Sequence, residues 1–205
     1  MFDEKLTNKV KKNIQSMGIS PTDSQLKSWM EYLLLLQKWN KTYKMTSITD
    51  LNKMLILHLY DSLSISEYII GDRSIDVGTG GGLPGVILAI LLPEHHFTLV
   101  DSVGKKISFL NHIKHKCQLD NIFPVNVRIE SYNPTSKFDN VISRAFSSLD
   151  SFYKLCKHLP NHEGQFLAMK GRLLGDDKLN LSEREPKVFS LKVPELDAER
   201  HLIRF

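Results

Sequence analysis

The stretch Ile75-Asp76-Val77-Gly78-Thr79-Gly80-Gly81-Gly82-Leu83-Pro84-Gly85 constrains this chain more than any other. A β-rich run, Ser74 to Val77, enters a turn with four glycines between positions 78 and 82, and an apolar helix candidate, Leu83 to Leu92, follows. Residues without a Cβ let the backbone approach a ligand closely, and the free amides at the start of a helix then face it. A plain strand-to-helix turn rarely needs more than one or two glycines. The pattern therefore points to a loop that holds a nucleotide-type cofactor.

From Ser74 onward, short β-rich runs alternate with helical ones, the pattern of βαβ units around a parallel sheet. The other strand candidates are Phe97 to Val100, Val125 to Ile129, Asp139 to Ser143, Gln165 to Met169, Lys187 to Val193 and His201 to Phe205. Lys105 to Leu119 and Leu149 to His158 read as helices, and Leu173 to Glu185 reads equally as helix or loop. Before Ser74 the chain is helical in character. Leu6, Val10, Ile14 and Met17 recur at helical steps, and Gly18 follows where a left-handed cap fits. Ser20 with Pro21 and Asp23 reads as the start of a second helix running to about Trp39, with Leu26, Trp29, Met30, Leu33 and Leu36 on one face. Asp50 can cap a third, carrying Met54, Leu55, Leu57, His58, Tyr60 and Leu63 and ending before Gly71. The expected architecture is α/β: a Rossmann-like domain with a seven-stranded, mostly parallel sheet over residues 71–205, preceded by a small helical lobe over 1–70.

That division uses all 205 residues, since domains run to about 100–200 residues. Apolar residues at 41% and charged ones at 24% exclude an intrinsically disordered chain. The net charge of +4 permits a polyanionic partner without requiring one. Cys117 and Cys156 stand 39 positions apart with no Cys-x-x-Cys pair, which excludes a disulfide framework or zinc ribbon and fits a reducing compartment. Met1 to Lys12 offers no signal-peptide core, and the longest apolar run, Val86 to Leu92, has seven residues where a bilayer needs about 20. A soluble, cytoplasmic monomer without a membrane partner is expected.

Gly80-Gly81-Gly82-Leu83-Pro84-Gly85 formally satisfies G-x-G-x-x-G, and Asp101 follows Gly80 by 21 positions, as in a dinucleotide site. Three features favour S-adenosylmethionine instead. Asp76, at the strand end, would repel a pyrophosphate but can bind a charged amino group. Pro84 removes an amide that a pyrophosphate would use. The chain is also too short for a second mononucleotide half plus a substrate domain. S-adenosylmethionine has an amino-acid end, an adenosine and no phosphate, and meets all three conditions. Asp101 ends the second strand, where a carboxylate can accept the ribose hydroxyls; capping the next helix is its plainer role. Glu130 ends the third strand and Arg144 follows the fourth, so both reach the crevice at the carboxyl edge of the sheet. For Glu130 a solvated carboxylate is an equally good reading.

Several segments together resemble one family over essentially the full length: Trp39-Asn40-Lys41-Thr42-Tyr43-Lys44-Met45-Thr46, His58 with Asp61-Ser62, Ile75 to Gly85, Asp101-Ser102, Phe138 to Phe146 around Ser143-Arg144-Ala145, Lys170-Gly171, and Glu199-Arg200-His201. The chain resembles the bacterial small-subunit ribosomal RNA guanine-N7 methyltransferases, the RsmG or GidB (glucose-inhibited division protein B) family. The resemblance implies a class I methyltransferase fold and transfer of methyl from S-adenosylmethionine to a guanine N7 in the 530-loop region of 16S rRNA. It places cofactor contacts on Gly78, Leu83, Ile129, Glu130 and Arg144. With the loop and strand-end residues, the expected cofactor set is Asp76, Gly78, Gly80, Gly82, Leu83, Asp101, Ile129, Glu130 and Arg144. Gly81 stands where relatives often have proline, and Leu57 where an arginine is common.

Guanine N7 has a lone pair and no proton, so its methylation needs no general base. A substrate-positioning residue is expected in place of a catalytic dyad, and Arg144 is the candidate. Loop bases of RNA are stacked on aromatics and tethered through phosphates. Lys105, Lys106, Lys170, Arg200 and His201 are the RNA-binding candidates, with Lys38, Lys41, Tyr43 and Lys44 beyond them. Trp39 reads as core and His58 as a hydrogen-bonded structural histidine. His112 and His115 lack a completing ligand set, so no metal is expected. The partner is 16S rRNA, either naked or within a 30S particle or assembly intermediate. Two other readings stay open: a methyltransferase acting on a small molecule or protein, and a non-catalytic or dinucleotide-binding module.

Overall fold

The computed structural model describes residues 3–173 and 185–205. The ambiguous segment read over Leu173 to Glu185 falls, for 174–184, outside the described residues. Strands β1 (Arg73–Val77), β2 (His96–Asp101), β3 (Ile122–Asn126), β4 (Phe138–Ser143), β5 (Pro160–Lys170), β6 (Lys187–Ser190) and β7 (His201–Arg204) form one sheet in the order β3-β2-β1-β4-β5-β7-β6. The first five are parallel; β7 runs antiparallel to both β5 and β6. The order reverses between β1 and β4, and at such a switch point the loops leaving the two strands diverge and open a crevice. This is the expected seven-stranded, mostly parallel, Rossmann-like architecture.

Side chains alternate across the sheet. Phe166 and Ala168 of β5 join Ile75, Val141 and Ile203 under helix α7 (Leu149–Cys156), whereas Leu167 and Met169 face the opposite cluster. That cluster is covered by α5 (Gly85–Leu91), α6 (Gly104–Lys116) and the amino-terminal helices α1 (Glu4–Ser16), α2 (Asp23–Tyr43), α3 (Leu51–Met54) and α4 (Asp61–Leu63). Val10, Trp29, Leu33 and Leu36 pack into the same core as Val86, Phe109 and Leu110. The helix α2 is tied down twice: Trp29 Nε1 donates to Ile87 O at 3.0 Å, and the Tyr32 hydroxyl to Gly81 O at 2.8 Å. It therefore braces the glycine loop from behind.

Boundaries shift for identifiable reasons. Gly18 closes α1 at φ 80°, as expected. The cap of α2 is Thr22 and not Ser20: Thr22 Oγ1 accepts from Gln25 N at 3.1 Å while Gln25 Oε1 accepts from Thr22 N at 2.9 Å, a reciprocal box. The helix then runs past Trp39 to Tyr43 and ends with Lys44 in the left-handed region at φ 49°. Asp50 does cap the third helix, accepting from Lys53 N at 2.9 Å, but over Leu55–Tyr60 that helix widens into a π-helical turn before resuming as α4. The third strand lies over Ile122–Asn126, earlier than Val125 to Ile129. Pro124 fits there because β3 is an edge strand, and a missing amide is tolerated on an edge. Among the described residues, no helix is long and apolar enough to cross a membrane.

Candidate functional site

The glycine loop leaves β1 with Gly78, Gly80 and Gly82 at φ 70°, 60° and 99°, backbone angles that L side chains rarely adopt. Asp76 shapes it from inside. The carboxylate is fully buried, and Oδ2 accepts from Thr79 Oγ1 at 2.7 Å and from Gly85 N at 2.9 Å, folding the loop back onto the start of α5. Its other oxygen, Oδ1, is buried without a hydrogen-bond partner. Burial pushes this carboxyl up to about 6 against the pull of Thr79, Gly85 and Arg144, with Asp101 adding to the rise. The sequence placed Asp76 at the strand end, where it meets a charged amino group. The structure keeps it in β1 and turns its side chain under the loop, with one oxygen bracing the turn and the other left as an acceptor.

The remaining cofactor candidates divide. Gly78 is exposed and Gly80 half-exposed. Gly82 faces inward: a Cβ there would strike Val86 and lie 2.8 Å from Leu110 Cδ2, so this glycine lets α5 and α6 close and does not line the crevice. Leu83 is half-buried against the core. Asp101 is heavily engaged, with Oδ2 accepting from Gly80 N at 3.0 Å and Lys106 Nζ at 3.1 Å, and Oδ1 from Val103 N at 2.9 Å. A carboxylate has about four acceptor positions, so about one is left for a ribose hydroxyl. Ile129 is buried and Glu130 exposed, in a 3-10 turn (Ile129–Ser131) four residues past β3, which corrects the expectation that Glu130 ends the strand.

The basic candidates are rearranged more strongly. Lys105 is exposed, but Lys106 turns to Asp101 and away from solvent. Lys170 Nζ donates to Phe146 O at 3.1 Å and Ser147 O at 2.8 Å, securing the loop after β4, and His201 Nδ1 lies 2.9 Å from Gly171 O. Lys106, Lys170 and His201 were expected to face RNA; they turn instead to a carboxylate and to backbone carbonyls. Arg144, expected at both the cofactor and the substrate, pairs with Asp61 at 3.2 Å, where Arg200 joins it at 3.0 Å, and its charge also reaches Asp76 beneath the glycine loop. The sequence reading matched Asp61-Ser62 to the family but gave Asp61 no role; the further signal was an acid set among Leu59, Tyr60 and Leu63.

His58 is a structural histidine, as read: Nε2 lies 3.1 Å from Thr46 Oγ1, and burial together with the Arg144 charge lowers it to about 4, opposed by the Leu57 backbone. Trp39 is half-buried, tilted against Phe109 and Tyr43 at 5.3 Å and His112 at 5.6 Å, so it bridges core and surface. Among the described residues, no three His, Cys, Asp or Glu side chains come together as a metal site. A larger cavity of about 940 Å³ lies among the ends of α1 and α5 and residues 190–194, lined by no glycine-loop residue.

Asp76 Oδ1 as an orphan acceptor, the accessible backbone of Gly78 and Gly80, and the remaining acceptor of Asp101 suit a ligand with a cationic amino end and a ribose, and offer no anion cradle for a pyrophosphate.

Known proteins resemble this chain over nearly its whole length. A model of the family described as rRNA small subunit methyltransferase G matches residues 25–203. The ribosomal RNA small subunit methyltransferase G of Francisella tularensis subsp. novicida (strain U112) is 52% identical over 198 residues, covering 97% of this chain and 96% of that protein. Its counterpart from Francisella philomiragia is 52% identical over 200 residues, covering 98% and 97%. Among solved structures, TehB from Haemophilus influenzae superimposes with a TM-score of 0.50 at 20% identity, over 81% of this chain and 64% of that one, which is a likeness of fold.

Proposed function

The chain belongs to the rRNA small subunit methyltransferase G family, and from that membership we propose that it uses S-adenosylmethionine to methylate N7 of a guanine in the 530-loop region of 16S rRNA. When bound, S-adenosylmethionine supplies a methyl group on a sulfonium centre. Asp76 Oδ1 accepts the ligand's amino end, the glycine-loop backbone with Leu83 and Ile129 encloses it, and Asp101 takes a ribose hydroxyl in competition with Lys106. Glu130, exposed beside that edge, is a further acceptor.

The observation that supports the N7 reading is that the buried acids and the histidine nearest the loop are turned to structural partners, with Asp76 Oδ1 and one position on Asp101 left to the cofactor. Asp76 Oδ2 is held by Thr79 and Gly85, Asp101 by Gly80, Val103 and Lys106, and His58 by Thr46. An acceptor atom that brings its own lone pair and loses no proton suits such a site. The contribution left to the protein is alignment, which can lower a barrier by up to about 7–11 kcal/mol. Arg144 at the end of β4 positions the substrate. The helical region 1–70 serves as a lobe beside the methyltransferase domain 71–205, and the enzyme works as a monomer on a 30S particle or assembly intermediate. Mapping N7-methylguanine in 16S rRNA from a strain lacking the gene tests this: one 530-loop guanine loses its methyl and regains it on complementation. Unchanged methylation refutes the assignment.

A further inference from the structure

The Arg144, Asp61 and Arg200 cluster brings together three distant parts of the chain at one edge of the sheet. Arg144 follows β4. Arg200 precedes β7, whose antiparallel course starts at the edge where β4 and β5 end. Asp61 opens α4 directly after the π-helical turn and is only 2% exposed. Its Oδ1 accepts from Arg200 Nε at 3.0 Å, and Oδ2 pairs with Arg144 Nη2 at 3.2 Å. Secondary bonds fix both guanidinium planes: Arg144 Nη2 to Leu57 O at 3.2 Å and Arg200 Nη1 to Glu199 O at 2.8 Å.

One carboxylate between two guanidinium groups leaves a net positive charge. Arg144 Nη1 is buried with no hydrogen-bond partner, an unusual state for so polar a donor. A cavity of about 190 Å³ opens here, lined by both arginines, Asp61, Lys170, Gly171 and His201. Since Lys170 and His201 are turned to backbone carbonyls, the arginine pair supplies the directed donors.

We propose that this cavity seats a backbone phosphate beside the target nucleotide, with Asp61 as the positioning residue that presents both guanidinium forks. The inference rests on the rRNA reading and adds a site to it. A planar guanidinium fork matches a phosphate's paired oxygens. The base itself is a poor occupant, because N7-methylguanine is a cation and would leave the reaction facing two arginines. The seat thus holds the strand without holding the product base.

The test is binding to 30S particles lacking the modification, measured with S-adenosylhomocysteine present across a KCl series. Arg200→Gln is expected to weaken binding about tenfold and to flatten the slope of log Kd against log salt by about 0.7–0.9, the release of one counterion. Its affinity for S-adenosylmethionine, by calorimetry, stays within twofold of wild type. An unchanged slope in a folded variant overturns the phosphate seat while the rRNA reading stands. A wild-type protein that binds no rRNA overturns that reading and the seat with it. Should Arg200→Gln not fold, Arg200→Lys is scored instead: an unaltered slope with Kd raised at least fivefold supports a guanidinium fork, and an unaltered Kd refutes it.

Discussion

Asp76 and His58 are both buried and both shifted, in opposite directions. Asp76 is raised from 3.8 to about 6, so the fold favours its protonated form; that stabilisation is fully present below 3.8 and lost as pH rises through about 6. His58 is lowered from 6.5 to about 4, so its contribution is present above 6.5 and lost as pH falls through about 4. Between pH 4 and 6 the two slopes oppose each other. His58→Gln is expected to remove one of them, leaving a variant whose unfolding free energy from urea titration falls as pH rises from 4.5 to about 6, by on the order of 2 kcal/mol, where wild type changes less. Cofactor binding responds to Asp76. Below about pH 6 the carboxyl protonates and no longer attracts a cationic amino group, so the Kd for S-adenosylmethionine is expected to rise toward tenfold per pH unit between pH 6 and 5. In Asp76→Asn the calorimetric profile should be weak and level. Much of this was legible in the sequence at Asp76, Gly78 and Asp101, because strand ends and glycine turns are local. The engagement of Asp101 by Lys106 was not, since a lysine five residues on reads equally as a solvated charge.

The glycine loop and the π-helical turn place the chemistry at the scale of elements. Gly78 sits at φ 70° with a would-be Cβ 2.7 Å from Ala145 Cβ, whereas Gly18 sits at φ 80° with nothing within 4 Å. Gly78→Ala is therefore expected to lose at least tenfold in S-adenosylmethionine affinity together with about 1–3 kcal/mol of stability. Gly18→Ala should lose about 1 kcal/mol and no affinity. Equal affinity losses in the two would remove the case for a loop shaped around its ligand. Element types were legible where periodicity is strong, as in α1, α2, β4 and β5. They slipped where a local exception ruled: Pro124 looks like a strand breaker but lies inside edge strand β3, and the Thr22–Gln25 box outcompetes Ser20 as a cap. The π-helical turn has no sequence signature; apart from His58, Leu55–Tyr60 reads as an ordinary buried helical stretch.

For the whole molecule, the amino-terminal helices share one core with a face of the sheet, and the chain's net charge is only +4. Substrate recognition then falls to the crevice, the helical segment and whatever shape the RNA presents. Methylation of 30S particles lacking the modification is expected to exceed that of naked 16S rRNA by at least tenfold in kcat/KM; equal rates would show that the RNA loop alone is read. The Arg144, Asp61 and Arg200 meeting point was the part least legible from sequence, because its members are 83 and 56 positions apart and are united by the antiparallel return of β7 beside β5 and by the helix that opens at Asp61. A π turn is a helix that has absorbed one surplus residue. Were all six residues of 55–60 to close at ordinary pitch, Asp61 would swing by about 100°, away from both guanidinium groups; deleting one of them should instead restore ordinary pitch with Asp61 still facing its partners. The shortened protein is expected to retain helical circular dichroism, S-adenosylmethionine binding and its hold on 30S particles, whereas one residue inserted between 55 and 60 should turn Asp61 away and release them. On that account the widened turn works as a phase adjuster, letting the helix carry an extra residue while its one buried acid still points at two distant arginines.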